Sequence, residues 1–154
     1  MRVFLVSAVF LGLLAAPVCA QRKHINTPAH PEGLPFSDAV LVGDTLYLSG
    51  NVGQDASGKV PDDFAEEARQ ALKNLGVVLK AAGFDYPDVV KVNVFLTDMS
   101  RFDDWNKVYR EFFKTDLPAR STVGVTALAR GAKLELEMIA VKSGPRIRPV
   151  QGKK

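Results

Sequence analysis

Among the many charged side chains of this 154-residue chain are an arginine and a glutamate in its C-terminal third, Arg120 and Glu135, whose types could do chemistry but whose spacing alone does not single them out. The guanidinium of Arg120 can bind a carboxylate through two parallel hydrogen bonds, and the carboxylate of Glu135 can transfer protons. A single arginine at a strand start is usually a solvated charge or part of a surface ion pair. Glu135 and Glu137 alternate on one strand face about 6.5 Å apart, and such a pair is more often solvated than catalytic. Ser49 and Asn106 likewise suit either a site or an ordinary turn and helix surface.

Thiol and metal chemistry are disfavoured by the cysteine and histidine content. The single cysteine is Cys19, and both histidines, His24 and His30, fall in a proline-containing segment where neither has an evident partner. A zinc site needs several converging ligands, so no metal site is predicted and no role is assigned to either histidine. The net charge of +3 is too weak to indicate a nucleic-acid partner, since such proteins usually carry a basic stripe on one face.

The first twenty residues have the composition of an export signal. Arg2 precedes an apolar run from Val3 to Ala16, and small residues before Gln21 suit cleavage after Ala20. The run is short for a membrane span, which needs about 20 apolar residues. An uncleaved anchor and a lipid on Cys19 are the alternatives. The prediction is an exported protein, periplasmic or secreted, with no membrane segment after cleavage.

The elements that position the polar residues begin after an arm, residues 21–34, which is predicted to be irregular because it contains Pro28 and Pro31 and is followed by Pro35. Residues 39–42 and 45–48 are two short apolar runs around Gly43-Asp44, which predicts a hairpin. Apolar residues at helical spacing then predict a helix that is capped by Asp62 or Asp63 and ends at Gly83.

Residues 89–96 alternate as a strand, with Val90 grouped among its inward apolar residues. Ser100 and Asp103 resemble a capping pair for a second helix that runs to Phe113. Residues 121–126 and 134–141 close the pattern as strands. Two helices and five strands predict an α+β domain over residues 35–142, with a mixed sheet, both helices on one sheet face and a flexible basic tail at 143–154. Ile139 and Val141 would leave apolar surface on the other face, which indicates self-association.

Three stretches carry a resemblance to a known family. They are Pro35-Phe36-Ser37-Asp38 with Ser49-Gly50-Asn51, residues 90–99 continuing into Trp105-Asn106 and Tyr109, and residues 117–123 followed by 133–140. In this order and spacing the chain resembles the RidA/YjgF family from about Pro35 to Lys142. Asn74-Leu75 and Ala81-Ala82-Gly83 fit the same pattern.

The resemblance implies a chorismate-mutase-like fold, a homotrimer and clefts between subunits. It implies hydrolytic deamination of small enamines and imines, such as 2-aminoacrylate and 2-iminopropanoate, to 2-keto acids and ammonia without a cofactor. Carried over by position, Arg120 would hold the substrate carboxylate and Glu135 would position or activate water. Ser49, Phe36 and the Thr122 backbone would line the pocket beside Asn106.

The chain departs from the family pattern inside these motifs. Phe36 stands where a tyrosine is common, and Thr122 replaces a frequent cysteine. Asp38 and Asn51 occupy positions where the family often has glutamine, and Ala129 replaces a proline. Two other functions therefore stay open: a trimeric module that binds small carboxylates or a partner protein without turnover, and an endoribonuclease. The weak net charge and the lack of a histidine pair argue against the endoribonuclease and against nucleic-acid binding.

Overall fold

The computed structural model describes residues 21–142, so the predicted signal (1–20) and basic tail (143–154) lie outside the described residues. The described chain forms one sheet and two helices. The strands are β1 (Arg22–Ile25), β2 (Ala39–Val42), β3 (Thr45–Val52), β4 (Val89–Leu96), β5 (Ala119–Gly124) and β6 (Leu134–Val141), and the helices are α1 (Phe64–Ala81) and α2 (Phe102–Phe112). The predicted α+β class is confirmed.

Helix α1 forms where its apolar spacing predicts it. The side chain of Asp63 caps the first turn by accepting a hydrogen bond from Glu66 N at 2.9 Å, which satisfies one of the amides that has no partner inside a helix. Gly83 follows the last turn with a φ of +79°, a conformation that glycine adopts without a steric penalty. The apolar face of α1, including Leu72, Leu75 and Leu79, is fully buried.

The sheet has the strand order β1-β2-β3-β6-β4-β5. Strands β4 and β5 are parallel, with α2 as the crossover between them, and the other neighbours are antiparallel. One sheet face, here called the helix face, packs against α1 and α2. Its β6 residues are buried at alternate positions: Leu134, Leu136, Met138 and Ala140. The opposite face, here called the open face, leaves Tyr47 and Val123 about half exposed.

The prediction of an irregular arm is wrong for its first residues. Arg22–Ile25 form β1, which pairs antiparallel with β2 and makes the sheet six-stranded rather than five-stranded. Ile25 is buried in the core, which gives this short strand a hydrophobic anchor. The arm's first proline is Pro28, so the strand is complete before any residue that cannot donate to a ladder.

Three smaller predictions are also corrected. Val90 is 45% exposed, because a bulge between Val89 and Lys91 interrupts the β4–β6 register. The turn before α2 is capped by Asp98, which accepts from Ser100 N at 2.9 Å, and not by a Ser100–Asp103 pair. Strand β5 covers residues 119–124 rather than 121–126. Within residues 21–142, no helix is long and apolar enough to cross a membrane.

Candidate functional site

A groove of about 770 Å³ lies between the arm and the start of the hairpin, and is here called the arm groove. Its lining includes two predicted site residues, Phe36 and Ser49, together with Val40 on the open face of β2. The Phe36 side chain is 52% exposed, which is unusual for an aromatic ring inside a folded domain. An exposed ring beside polar groups in a concave surface is typical of a small-molecule site.

Ser49 ties the two sides of the arm groove together. Its hydroxyl donates to Ser37 O at 2.7 Å, and its backbone N–H donates to Asp38 O at 2.9 Å. The two stretches that carry the first part of the family resemblance, Pro35–Asp38 and Ser49–Asn51, are therefore joined by hydrogen bonds in the fold. After Ser49 the β3–β6 register shifts, so that Leu48 pairs with Met138 and Asn51 pairs with Leu136.

Glu135 lies on the open face of β6, beside this register shift. Its Oε1 occupies the space next to Gly50 where a Cβ would sit, and that Cβ would also be 3.1 Å from Glu135 Cδ. Only glycine at position 50 allows the carboxylate to lie against the β3 backbone. Because Gly50 follows Ser49, the Glu135 carboxylate is next to the residue that lines the arm groove.

Glu135 and Glu137 differ in their hydrogen bonding. Glu137 Oε1 accepts a bond from Asn93 Nδ2 at 2.6 Å, which commits that carboxylate to a neighbouring strand. Across residues 21–142, Glu135 makes no side-chain hydrogen bond or ion pair. The carboxylate that is available to a ligand is therefore that of Glu135, a distinction that the alternating sequence pattern alone did not provide.

A buried glutamate fixes the start of β6 against α1. Glu67 is fully buried, and its Oε1 accepts from Lys133 N at 2.6 Å and from Leu134 N at 3.2 Å. Its Oε2 lies 3.0 Å from Lys133 Nζ. Buried charges need such pairing, since an isolated one is very costly. These bonds hold the backbone at Lys133 and Leu134, and Leu134 directly precedes Glu135. They therefore fix the position of the backbone from which the Glu135 side chain extends.

Arg120 lies on the other side of the sheet. It pairs with the fully buried Val92 in the parallel β4–β5 ladder, so its side chain points toward α2. Its Nη2 donates to Asn106 Oδ1 at 2.7 Å. The guanidinium carbon is 4.7 Å from the ring centroid of Tyr109 and 5.6 Å from that of Phe102. Ring faces attract the cation, so the side chain is held in one orientation.

The surroundings of Arg120 are neutral and partly unsatisfied. Burial raises the pKa of Tyr109 to about 12, against the opposing effect of Arg120, so the phenol stays protonated. Thr122, which pairs with Val94 on the same face of β5, has a buried hydroxyl with no hydrogen-bond partner among residues 21–142, as does Tyr109. Strand β5 is the last in the sheet, so its outer edge is available to a ligand or to another chain.

The six predicted site residues thus fall into two groups within one chain. Phe36, Ser49 and Glu135 belong to the open-face side, at the arm groove and beside it. On the helix face, at the outer strand, lie Arg120, Thr122 and Asn106. Since β4 and the thickness of the sheet separate Arg120 from Glu135, both can contact one small ligand only if a second copy of the chain contributes one group.

Sequence reasoning missed a set of polar residues in the arm. His30 Nδ1 is 2.7 Å from Asp38 Oδ1, and His24 Nδ1 is 3.1 Å from Ser37 Oγ. Asp38 Oδ2 accepts from both the N–H and the hydroxyl of Thr27, each at 2.8 Å. The expectation that neither histidine has a partner is wrong. The sequence feature that could have indicated this pairing is Asp38, which stands where the family often has glutamine. A partly buried carboxylate needs a hydrogen-bond donor or a cation as its partner.

Hydrogen bonding also determines the charge state of Asp38. Its partial burial acts to raise the pKa of its carboxyl, but the bonds from Thr27 and the contact with His30 outweigh this and hold the pKa below its usual range. Asp38 is therefore a carboxylate at neutral pH. Among the described residues, no group of three or more histidine, cysteine or carboxylate side chains could hold a metal ion.

Comparison with known proteins gives consistent results. Residues 27–142 match the family model described as Endoribonuclease L-PSP. The chain is 50% identical over 130 residues to a 2-iminobutanoate/2-iminopropanoate deaminase of Mus musculus, an alignment that covers 82% of this chain and 96% of the mouse protein. A Thermotoga maritima structure described as a putative endoribonuclease superposes with a TM-score of 0.75 at 40% identity, covering 79% and 98% of the two chains. E. coli TdcF with bound serine superposes with a TM-score of 0.74 at 36% identity, covering 79% and 99%.

Proposed function

Because this chain belongs to the Endoribonuclease L-PSP family, also called RidA/YjgF, we propose that it hydrolyses small 2-imino and enamine acids to 2-keto acids and ammonia. The single observation that carries the proposal is its 50% identity to a 2-iminobutanoate/2-iminopropanoate deaminase over 96% of that protein. The residues that this chemistry requires, a guanidinium and a free carboxylate, are both present in orientations fixed by their neighbours.

Arg120 binds the substrate carboxylate in this mechanism. A guanidinium stays charged at any working pH and matches a carboxylate with two parallel bonds. Asn106 uses one N–H of Nη2, and the rings of Tyr109 and Phe102 hold the plane of the group. The remaining N–H groups of the fork are directed by this packing, so little rotamer freedom is lost when the ligand binds.

Glu135 activates the water. Its carboxylate takes a proton from water as the oxygen attacks C2 of the imine, and returns a proton as ammonia leaves. The rigid positioning by Gly50 and by the Glu67 bonds one residue earlier favours this role over that of Glu137. Acid–base assistance of this kind contributes about 10²–10⁴-fold to a rate, which is substantial for an intermediate that also hydrolyses unaided.

The site is completed by self-association into a homotrimer. The support is that Arg120 and Glu135 lie on opposite faces of one chain's sheet, and that the open face carries half-exposed apolar side chains at Tyr47 and Val123. Packing of the open faces against neighbouring copies would remove this apolar surface from water. It would also bring the outer strand β5 of one copy beside the arm groove of the next.

Export is the remaining part of the proposal. The support is the composition of residues 1–20, with one charged residue before an apolar run and small residues before Gln21. An exported deaminase would meet imino acids outside the cytoplasm, such as those that amino-acid oxidation releases. A cleaved signal would also remove Cys19 and leave a mature chain without a thiol.

The test measures decay of 2-iminopropanoate generated in situ and release of ammonia. Wild type should accelerate both, Arg120→Ala should abolish the acceleration, and Arg120→Lys should restore little because an ammonium cannot form the planar two-bond contact. Arg110→Ala is the matched control, since it removes an equal charge from an exposed position on α2. Glu135→Gln should still bind pyruvate, an inert analogue, while losing most turnover.

The same assay separates the two other functions. A binding module, for which the lack of a hydroxyl at Phe36 is the favouring feature, would bind pyruvate but leave imine decay at its spontaneous rate. Phe36→Tyr should raise or preserve the rate of a true deaminase. Cleavage of single-stranded RNA by wild type, lost in the Arg120→Ala variant and without imine hydrolysis, would favour the endoribonuclease activity that the family model's description names.

A further inference from the structure

The arm contains a histidine–carboxylate pair that none of the predicted catalytic residues includes. His30 is 90% buried at its side chain, and its Nδ1 lies 2.7 Å from Asp38 Oδ1. Because an ionised carboxylate only accepts hydrogen bonds, the contact places a proton on Nδ1. The other ring nitrogen, Nε2, makes no hydrogen bond to residues 21–142.

The pair is held rigidly. Both oxygens of Asp38 are in use, since Oδ1 meets His30 while Oδ2 accepts from the N–H and hydroxyl of Thr27. The backbone N–H of Asp38 donates to Asn26 Oδ1 at 3.1 Å. The imidazole also packs edge-on against the Phe36 ring, with centroids 6.2 Å apart and an interplanar angle of 87°. The ring orientation is therefore fixed from two sides.

The position of the ring is also relevant. His30, Phe36 and Ser49 all line the arm groove, and the Glu135 carboxylate lies against Gly50, the residue after Ser49. An imidazole that lines a groove, whose Nδ1–H is bonded to a carboxylate and whose Nε2 has no hydrogen-bond partner among residues 21–142, has the arrangement of a general acid–base group.

We propose that His30, oriented by Asp38, is a second proton-transfer residue of the site and exchanges protons with the nitrogen of the imino acid. The inference rests on the proposed deaminase function. As the C–O bond forms between water and C2, Glu135 takes a proton from the water and protonated His30 gives one to the imine nitrogen. The carbinolamine then gives its hydroxyl proton to His30 and takes one from Glu135 at nitrogen. The C–N bond breaks, and a 2-keto acid and ammonia leave with both side chains restored.

This assignment gives the departures from the family pattern a common explanation. Phe36 stands where a tyrosine hydroxyl is common, and Asp38 stands where glutamine is frequent. The phenylalanine removes a polar group from the pocket. The carboxylate at position 38 positions an imidazole in the same groove, so that a polar proton-transfer group is again present.

The test compares His30→Asn with wild type in the imine assay. An asparagine amide can keep the bond to Asp38 from the Nδ1 position, but has no group at Nε2. We expect kcat to fall about 10²-fold, while pyruvate affinity and Tm stay near those of wild type. Imidazole added to His30→Ala should restore part of the rate above the enzyme-free background, an effect that a structural role would not produce. Arg110→Ala, which changes an exposed residue on α2 outside the lining of the arm groove, is the control and should stay within about twofold in kcat.

Two outcomes would overturn the inference. Wild-type kcat in His30→Asn would leave the pair as an anchor of the arm. A loss of kcat that is accompanied by weaker pyruvate binding and a lower Tm, without rescue by imidazole, would mean the same. In both cases an active wild type and an inactive Arg120→Ala would leave the deaminase function intact. An inactive wild type would instead refute the proposed function itself.

Discussion

Replacing Gly50 by alanine tests whether the close approach of the Glu135 carboxylate to β3 matters for catalysis. The φ of Gly50 lies outside the left-handed region, so the backbone accepts alanine, and the effect of the change is steric. The new Cβ would collide with Glu135 Oε1 and lie 3.1 Å from Cδ. The carboxylate must therefore move by about 1 Å, and such a misplacement can lower a rate by about 10².

A 10²-fold loss corresponds to about 2.7 kcal/mol of activation free energy. The loss of kcat in Gly50→Ala has an upper limit, because displacing the Glu135 carboxylate cannot lower the rate more than removing it does. Gly50→Ala should therefore lose less kcat than Glu135→Gln. In the Glu135→Gln background the further change to alanine should have almost no effect, since the group that it displaces no longer acts. The two substitutions are expected to be strongly non-additive.

The assay is kcat for hydrolysis of 2-iminopropanoate by the four members of this double-mutant cycle, with urea unfolding to check that each is folded. Gly58→Ala is the control. Gly58 has a φ of +83° with open space around it, so alanine there costs about 1 kcal/mol of stability without touching Glu135. Additive losses in the cycle, or a kcat for Gly50→Ala equal to that of wild type, would refute the argument that the glycine positions the carboxylate.

Four further predictions follow from the same contacts and patterns. Glu67→Ala should lower the free energy of unfolding by about 3–5 kcal/mol in urea titrations, because it removes the ion pair with Lys133 Nζ and leaves the backbone amides of Lys133 and Leu134 without their acceptor; a loss below about 1 kcal/mol would contradict this. Since the pKa of Asp38 is lowered in the fold, its contribution to stability is present above its unfolded pKa and is lost as the pH falls below about 4. The Tm difference between wild type and Asp38→Asn should shrink over that range, and a constant difference would count against it. Light scattering of the mature chain at micromolar concentration should report about three times the monomer mass. A stable monomer would contradict the proposed site, because Arg120 and Glu135 of one chain could not contact the same ligand. Mass spectrometry of protein from its native host should find Gln21 as the first residue, and an intact Met1 in the cytoplasm would overturn export.

Periodicity predicted the elements whose residues repeat over several turns or strand positions. Helix α1 and strand β6 were placed correctly because their buried residues recur at regular spacing. Strand β1 was missed because three of its four residues are exposed, so that nothing in the pattern distinguishes it from a loop. The bulge at Val90 was missed because it depends on pairing with β6, a strand that lies more than forty residues away in the sequence.

The candidate site also has a part that the sequence predicted and a part that it did not. Resemblance identified Arg120 and Glu135, but not that they lie on opposite faces, because the direction of Arg120 follows from the parallel register between β4 and β5. The contact between His30 and Asp38 joins two polar residues across a chain reversal that contains two prolines, Pro31 and Pro35. No local rule predicts such a pairing, which only the folded backbone brings about.

If the predicted signal is cleaved after Ala20, strand β1 limits how far the new N-terminus can be trimmed. The strand begins at Arg22, which would be the second residue of a chain cleaved after Ala20. It ends at Ile25, which is part of the core. Aminopeptidases that trimmed a few residues from the new terminus would remove hydrogen bonds to β2 and the contact between His24 and Ser37. Trimming through Ile25 would also expose apolar surface beneath the arm. A mature chain that starts at Gln21 would therefore resist further trimming, because only Gln21 would precede the first strand.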